Sequence, residues 1–383
     1  MKILFVIKSF AMKAGVERLM SDKMNYMADQ GHEIILVTYE QGNHPMAFHL
    51  NSSIKHIDLN TRFFSLKRYS LPVRAFEVLK MKRLFRMRLQ KVVDEVKPEI
   101  IHTTTYAIHL VDIILGLKTN AKKTIESQVC YESILKEVDF KGRFLLQDIA
   151  RLYDHITLRR LKAFDAFFAL TKGDAAQWKR YVDNIFCIPN PLTSYPKKIE
   201  NHNVTHNRII CAGRLNPQKG FDLLIDSFAL VADKCPEWNI DIFGSGDEES
   251  FLREKLREKK LEERILIHPA TDNIYMEFQR SDFFVFSSRF EGWGLVLVEA
   301  MACGIPPVSF RCKYGPEDII SDGDDGLLAK DGDIQDLSEK ILWMINHPEQ
   351  RQEMGKKARV SALRFNKDIV VQRWLEIFQS ILS

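Results

Sequence analysis

The chain is poor in the residues and patterns that would make it anything but globular. Its six cysteines (Cys130, Cys187, Cys211, Cys235, Cys303 and Cys312) are scattered, and no two form a C-x-x-C pair. That spacing argues against a zinc site or a disulfide framework and for reduced thiols in a cytoplasmic protein. No apolar run approaches the ~18–20 residues of a membrane span. The opening MKILFVIKSF is interrupted at Lys8 after five apolar residues, too few for the core of a secretory signal, and reads as a buried first strand. There is no G-x-G-x-x-G, no internal repeat and no low-complexity segment. With 13 Pro, 18 Gly, 45% hydrophobic and 28% charged residues, disordered and fibrous classes are excluded. At 383 residues the length points to two domains of comparable size, each able to close a core.

Charge is unevenly placed. The net charge of +4 combines a basic part, Met1 to Asn190, with 30 Lys and Arg against 20 Asp and Glu, and a remainder with 25 against 31. A basic half joined to an acidic half suggests that the first half faces something anionic: nucleic acid, a membrane surface or a phosphorylated substrate.

Short apolar runs alternate with helical patterns along the whole chain. ILFVI, EIILVT, EIIH, KTIE, AFFAL and IFCIP form one set, and RIICAG, NIDIFG, RILIHP, FFVFSS and PPVSF form a second. Continuous apolar strands separated by helices predict doubly wound parallel sheets. Between the sets lies PNPLTSYPKKIENHNVTHN, rich in Pro and Asn and without apolar periodicity, which reads as a linker. From about Asp333 onward the pattern is helical, and its end, FNKDIVVQRWLEIFQSIL, is amphipathic and must dock on something. The expected architecture is α/β, two Rossmann-like domains over 1–190 and 191–365, with a C-terminal helix over 366–383 crossing back to the first domain. Ligands of open α/β sheets bind beyond the carboxyl ends of the strands, so a cleft between the domains is the expected site.

Three constellations carry chemistry. The first is Gly213-Arg214-Leu215-Asn216-Pro217-Gln218-Lys219-Gly220, after RIICA and before a helix. Two cations at a strand-to-helix turn, beside the positive end of a helix, suit a diphosphate, and they equally suit a solvated turn. The second is Glu291-Gly292-Trp293-Gly294-Leu295-Val296-Leu297-Val298-Glu299, after FFVFSS. The glycines open backbone N–H groups to a ligand, and the two carboxylates bracket a turn and the start of a helix. The third is Lys13-Ala14-Gly15-Val16-Glu17-Arg18, where Gly15 would let a ligand approach a helix N-terminus.

Together these motifs resemble the retaining glycosyltransferases of family four, which have the GT-B fold. The likeness runs through AGVER, IPNPL, GRLNPQKGFDLLI, FGSGDEE, SSRFEGWGLVLVEAMACGIPPVSF and GPEDIISDGDDGLL, nearly the whole chain. It implies a nucleotide-diphosphate sugar, a UDP-sugar on family frequency, as donor substrate. It implies that Arg214 and Lys219 neutralise the diphosphate and that Glu299 holds the ribose. Glu291 and the backbone of Gly292, Trp293, Gly294 and Leu295 would meet the donor sugar, with Gly15 closing over it. It implies no cofactor and no metal. Asp324 and Asp325 in SDGDDGLL read as an Asp/Gly turn rather than a magnesium site.

Two departures stand out. The first glycine of the family's Gly-Gly pair is Ala14. Where a histidine commonly follows a strand of the first domain, this chain reads Lys123-Thr124-Ile125-Glu126-Ser127-Gln128, which leaves Glu126 or His102 as the candidate catalytic partner for the sugar.

Between Arg62 and Lys91 there are ten Lys and Arg against one acid, Glu77, interleaved with Phe, Leu and Met. A second basic amphipathic stretch spans Lys141 to Lys162. Such stretches suit peripheral contact with an anionic membrane on the inner face of the plasma membrane. No recognition module accompanies them, so nucleic acid is excluded as a partner. The expected acceptor is a saccharide, lipid-linked, in surface polysaccharide or glycolipid assembly. A small soluble acceptor, or a non-catalytic sugar-nucleotide-binding partner of another transferase, are the alternatives.

Overall fold

The computed structural model describes residues 1–12, 14–68, 70–128, 130–131, 157–196 and 206–383. Most of the second basic stretch, up to residue 156, lies outside them, as does Lys13. The chain forms two compact units, Met1–Pro191 together with Lys367–Ser383, and Leu192–Asn366.

The first unit is a parallel sheet of β1 (Lys2–Ile7), β2 (Glu33–Thr38), β3 (Lys55–Asp58), β4 (Ile100–Thr104), β5 (Lys122–Glu126), β6 (Ala166–Ala169) and β7 (Ile185–Cys187). Their order is β3-β2-β1-β4-β5-β6-β7. In register, Phe5 of β1 lies opposite Leu36 of β2 and His102 of β4. Alternate residues of β1 feed two cores, as the two-residue period of a strand requires. Leu4 and Val6 pack with Phe85, Leu89, Ile101, Ile125 and Trp178 on one face. Ile3 and Phe5 pack with Met20, Met24 and Met27 of the helix Gly15–Asp29 on the other. That second face is completed by the C-terminal helix Lys367–Leu382, which contributes Val370, Val371, Trp374, Leu375 and Phe378. The Trp374 ring stacks on Phe168 with centroids 3.8 Å apart.

The second unit is a parallel sheet of β8 (Arg208–Ala212), β9 (Asn239–Phe243), β10 (Ile265–His268), β11 (Phe283–Phe286), β12 (Pro307–Phe310) and β13 (Leu327–Ala329), in the order β10-β9-β8-β11-β12-β13. Its strand order reverses at β8 and β11, which pair with each other. The loops that follow these two strands therefore leave the sheet at the switch point where α/β folds bind ligands.

Two strands, β3 and β13, have no counterpart among the apolar runs of the sequence. Both are edges: β3 is KHID, with a single aliphatic residue, and β13 is three residues long beside an Asp/Gly turn. An edge strand is set by backbone pairing to its neighbour, so it can form without the apolar run that marks a central one. The turn at Asp324 and Asp325 is closed by backbone bonds from Gly323 N–H to Gly326 O (2.8 Å) and from both Asp N–H groups to Ser321 O.

Trp374 is 2% exposed, so Trp374→Ala should lower the stability of the first unit by about 3–5 kcal/mol. Ile369→Ala, on the exposed side of the same helix at 50%, should change it by no more than about 0.5 kcal/mol. Urea midpoints of the two variants make the comparison.

Candidate active site

The loop after β8 is held by close backbone approach. Gly213 N–H donates to Phe243 O and Leu215 N–H to Ser245 O, each at 3.0 Å. A Cβ on Gly244 would lie 1.9 Å from Gly213 O, and one on Gly246 would lie 2.2 Å from Leu215 O. Glycine is thus demanded by the contact of the loops after β8 and β9. Further along, the Asn216 side chain accepts the Lys219 N–H at 3.3 Å and caps the short 3-10 turn Pro217–Lys219. Gly220 follows with φ +62°, and a Cβ there would meet Ser287 O at 2.2 Å. Ser287, just past β11, donates its hydroxyl to Lys219 O at 3.0 Å.

These contacts tie the loop after β8 to the loop after β11. Arg289 N–H donates to Gln218 O at 2.8 Å, and the Gln218 amide donates to Phe290 O at 3.0 Å. The Arg289 guanidinium grips both oxygens of Asp222, at 2.7 and 2.6 Å. The outcome is that Lys219 Nζ sits 2.7 Å from Glu291 Oε1, with side chains only 17% and 7% exposed. The same ammonium lies 5.2 Å from the centre of the Phe286 ring. Glu291 is itself fixed by its backbone, which donates to Lys313 O at 2.7 Å and accepts from Tyr314 N–H at 3.1 Å. Arg214 is exposed, and its guanidinium makes no hydrogen bond or ion pair among the described residues. The carboxylate of Glu291 balances Lys219 but not Arg214, so the loop keeps a positive charge for an anion.

Beyond Glu291 the chain turns at Gly294, φ +103°, and starts the apolar helix Leu295–Ala302 without a side-chain cap. Gly292 and Leu295 are partly exposed, while Glu299 is buried on this helix. The Trp293 side chain is interior, 4% exposed and edge-on to Phe365 at 5.2 Å, and a Cβ on Gly315 would strike its carbonyl at 2.0 Å. Trp293 therefore anchors the loop, and only its backbone could serve a ligand.

The first-unit residues divide. Ala14 has φ −122° and ψ 165°, ordinary extended backbone, so alanine holds this turn without strain. Gly15, exposed, opens the helix Gly15–Asp29, and a Cβ on it would touch nothing.

Glu126 and His102 require a correction. They are 1% and 0% exposed, inside the face covered by the C-terminal helix, and as placed neither offers a group to a sugar. Glu126 is bonded by the ammonium of Lys23 and the amide of Gln128. His102 Nε2 is 3.6 Å from the same carboxylate, and its Nδ1 is 2.9 Å from Thr124 Oγ1. Rings of Phe5 and Trp374 pack against the imidazole at 5.2 and 5.3 Å, and Lys23 Nζ lies 3.8 Å from the centre of the Trp374 ring. The reason lies in the two covering helices: Gly15–Asp29 brings Lys23 onto Glu126, and Lys367–Leu382 brings Trp374 against His102. A signal for this was present, since Lys23 falls within the apolar spacing of Met20, Met24 and Met27. Burial disfavours the charge on Glu126, and the Lys23 ammonium, with the His102 imidazole beside it, overrides it, holding the carboxyl at about 2. Burial lowers the His102 imidazole, against the pull of the Glu126 carboxylate beside it.

Among the described residues no group of three or more His, Cys, Asp or Glu is arranged to hold a metal ion. Two parallel-sheet Rossmann-like units, with a cationic loop and an acid–Gly–x–Gly loop at the switch point of the second, define a glycosyltransferase of the GT-B type. Comparison with known proteins agrees. The model for glycosyl transferases group 1 matches residues 196–361, and that for Glycosyltransferase Family 4 matches residues 14–193. The chain belongs to the family-four glycosyltransferases. It is 26% identical over 97% of its length, and 98% of the relative's, to an uncharacterized glycosyltransferase of Haemophilus influenzae. It is 30% identical to a poly(ribitol-phosphate) alpha-N-acetylglucosaminyltransferase of Staphylococcus aureus, over 52% of this chain and only 40% of that protein. The structure of an S. aureus TarM variant with fondaparinux, alpha-GlcNAc-glycerol and UDP shares the fold, with a TM-score of 0.76 at 17% identity over 98% of this chain and 99% of that one.

The buried pair has a measurable signature. Lys23→Met strands the Glu126 carboxylate and should cost about 3–5 kcal/mol in urea unfolding, most of it recovered by adding Glu126→Leu. A carboxyl depressed in the folded state stabilises above its unfolded value of about 4.3 and loses that contribution as pH falls towards about 2. Stability should therefore decline through this acid window in the wild type, and the slope should flatten in Glu126→Gln.

Proposed function

We propose that the protein transfers a sugar from a UDP-sugar to a saccharide acceptor, with retention of configuration and without a metal ion. The acceptor is lipid-linked, and the reaction belongs to surface polysaccharide or glycolipid assembly at the inner face of the plasma membrane. The observation that carries this reading is the loop pair of the second unit, in which Lys219 touches Glu291 while Arg214 stays unbalanced by any acid among the described residues. The UDP of the TarM complex and the polymer named for the S. aureus relative support it.

In this reading Arg214 and Lys219 face the diphosphate. As the bond from the anomeric carbon to the diphosphate oxygen breaks, negative charge grows on the leaving group. Lys219, already held by Glu291 on a loop fixed by backbone contacts, stabilises that charge with little reorganisation, and Arg214 adds its guanidinium. Glu299 accepts from the ribose hydroxyls. The backbone N–H groups around Gly292, Trp293, Gly294 and Leu295 give the donor further hydrogen bonds, and Glu291 meets the sugar while holding Lys219. The acceptor hydroxyl attacks the anomeric carbon on the face the diphosphate leaves, and the leaving phosphate takes its proton. Configuration is then retained without a carboxylate nucleophile of the kind used by retaining hydrolases.

Thermal unfolding with EDTA present tests the donor assignment. UDP at 100 times its Kd should stabilise by about 2.7 kcal/mol, and more than ADP or GDP. Lys219→Ala or Arg214→Ala should weaken UDP by roughly tenfold or more, the range for a lost charge-assisted hydrogen bond. No shift with any nucleotide would sink the reading. Once a donor is found, proton NMR of the first-formed product should show the anomeric configuration of the donor, and an inverted product would refute retention.

A further inference from the structure

The helix Leu71–Val96 has two different halves. Its second half buries Phe85, Leu89, Val92 and Val93 in the core of the first unit. Its first half leaves large apolar side chains in water: Val73 is 46% exposed, Phe76 67% and Leu79 68%. Phe64, in the turn before the helix, is 52% exposed, and Met87 is 60% exposed. Leu79 is the most exposed large apolar side chain among the described residues.

At 3.6 residues per turn, Phe76, Leu79, Lys80, Arg83, Arg86 and Met87 fall within an arc of roughly 100–120°, opposite Phe85. Lys80, Arg83 and Arg86 are exposed, and Arg83 and Arg86 make no ion pair among the described residues. Glu77, the one acid between Arg62 and Lys91, lies 3.9 Å from Lys80. An arc carrying apolar and cationic side chains, with almost no acids to discriminate one protein partner from another, matches a surface that is apolar inside and anionic at its edge. No helix among the described residues is long and apolar enough to cross a membrane, so this one would lie in the interface.

We propose that Phe76, Leu79 and Met87 insert into the anionic face of a lipid bilayer, with Lys80, Arg83 and Arg86 on the lipid phosphates. The inference rests on the reading that the acceptor is membrane-borne, and it names the surface that brings the enzyme there. The apolar side chains supply the part of the affinity that salt does not screen, and the cations supply selectivity for anionic lipid.

The test uses the full chain and vesicles of phosphatidylcholine with or without phosphatidylglycerol. The protein should sediment with the anionic vesicles and not with pure phosphatidylcholine. Phe76→Trp should show a blue-shifted emission component on adding anionic vesicles, relative to the same addition to wild type. Phe76→Ser with Leu79→Ser should lower the partition coefficient about tenfold or more, as should Arg83→Glu with Arg86→Glu. All these side chains are exposed, and an unchanged UDP-induced thermal shift in each variant verifies the fold. Absence of sedimentation, absence of the blue shift, or wild-type binding by the double serine variant would each overturn the proposal. Failure on vesicles with an intact UDP shift removes the membrane surface and leaves the donor site standing. Binding to vesicles without any UDP shift does the reverse.

Discussion

A parallel sheet buries both of its faces, and in the first unit one of them is shared between the helix Gly15–Asp29 and the C-terminal helix. Ile3, Phe5, Ile100 and Phe168 point to that face, where Met20, Met24 and Met27 of the first helix meet Trp374, Phe378 and their neighbours. Everything in that layer follows from the closure. It keeps water from Lys23, Glu126 and His102, and so turns what would be a solvated ion pair into an interior one whose partners need each other. As placed, Glu126 and His102 are interior side chains that meet Lys23 and Trp374 rather than solvent.

The second unit reaches precision by another means. Its loops after β8, β9 and β11 come within backbone contact, which glycine alone permits at Gly220, Gly244 and Gly246. The side chains that matter, Lys219 and Glu291, ride on backbone positioned by these contacts and need little further support. The nearby Arg289–Asp222 pair pulls the same loops together from the outside. Charge placement is thereby decoupled from the flexibility that a long lysine usually has.

Much of this was legible in the sequence because buried central strands announce themselves. ILFVI and FFVF are continuous apolar runs, and β1 and β11 follow them closely. Two of the four edge strands do not: KHID and LLA owe their conformation to β2 and β12 rather than to their own composition. The cationic and acidic loops could be marked from residue type and spacing, but their contact at Lys219 and Glu291 depends on which strands are neighbours, and β8 and β11 are far apart in sequence. Glu126 and His102 show the opposite case. The family pattern suggested a ligand contact; Lys23, which pairs with Glu126, is marked by its apolar spacing, while the other cover, a helix more than 230 residues further along the chain, is a property of topology and invisible to local pattern.

The discontinuous first unit also sets an order of events during synthesis. The stretch Leu192–Asn366 is continuous, so it can close its core as soon as its own residues have emerged. The first unit emerges earlier yet cannot be completed until Lys367–Leu382 leaves the ribosome. Through all the intervening translation, the part of the Phe5 and Phe168 face that Trp374 and Phe378 later cover lacks its last helix. The half of the protein made first thereby becomes the half that matures last.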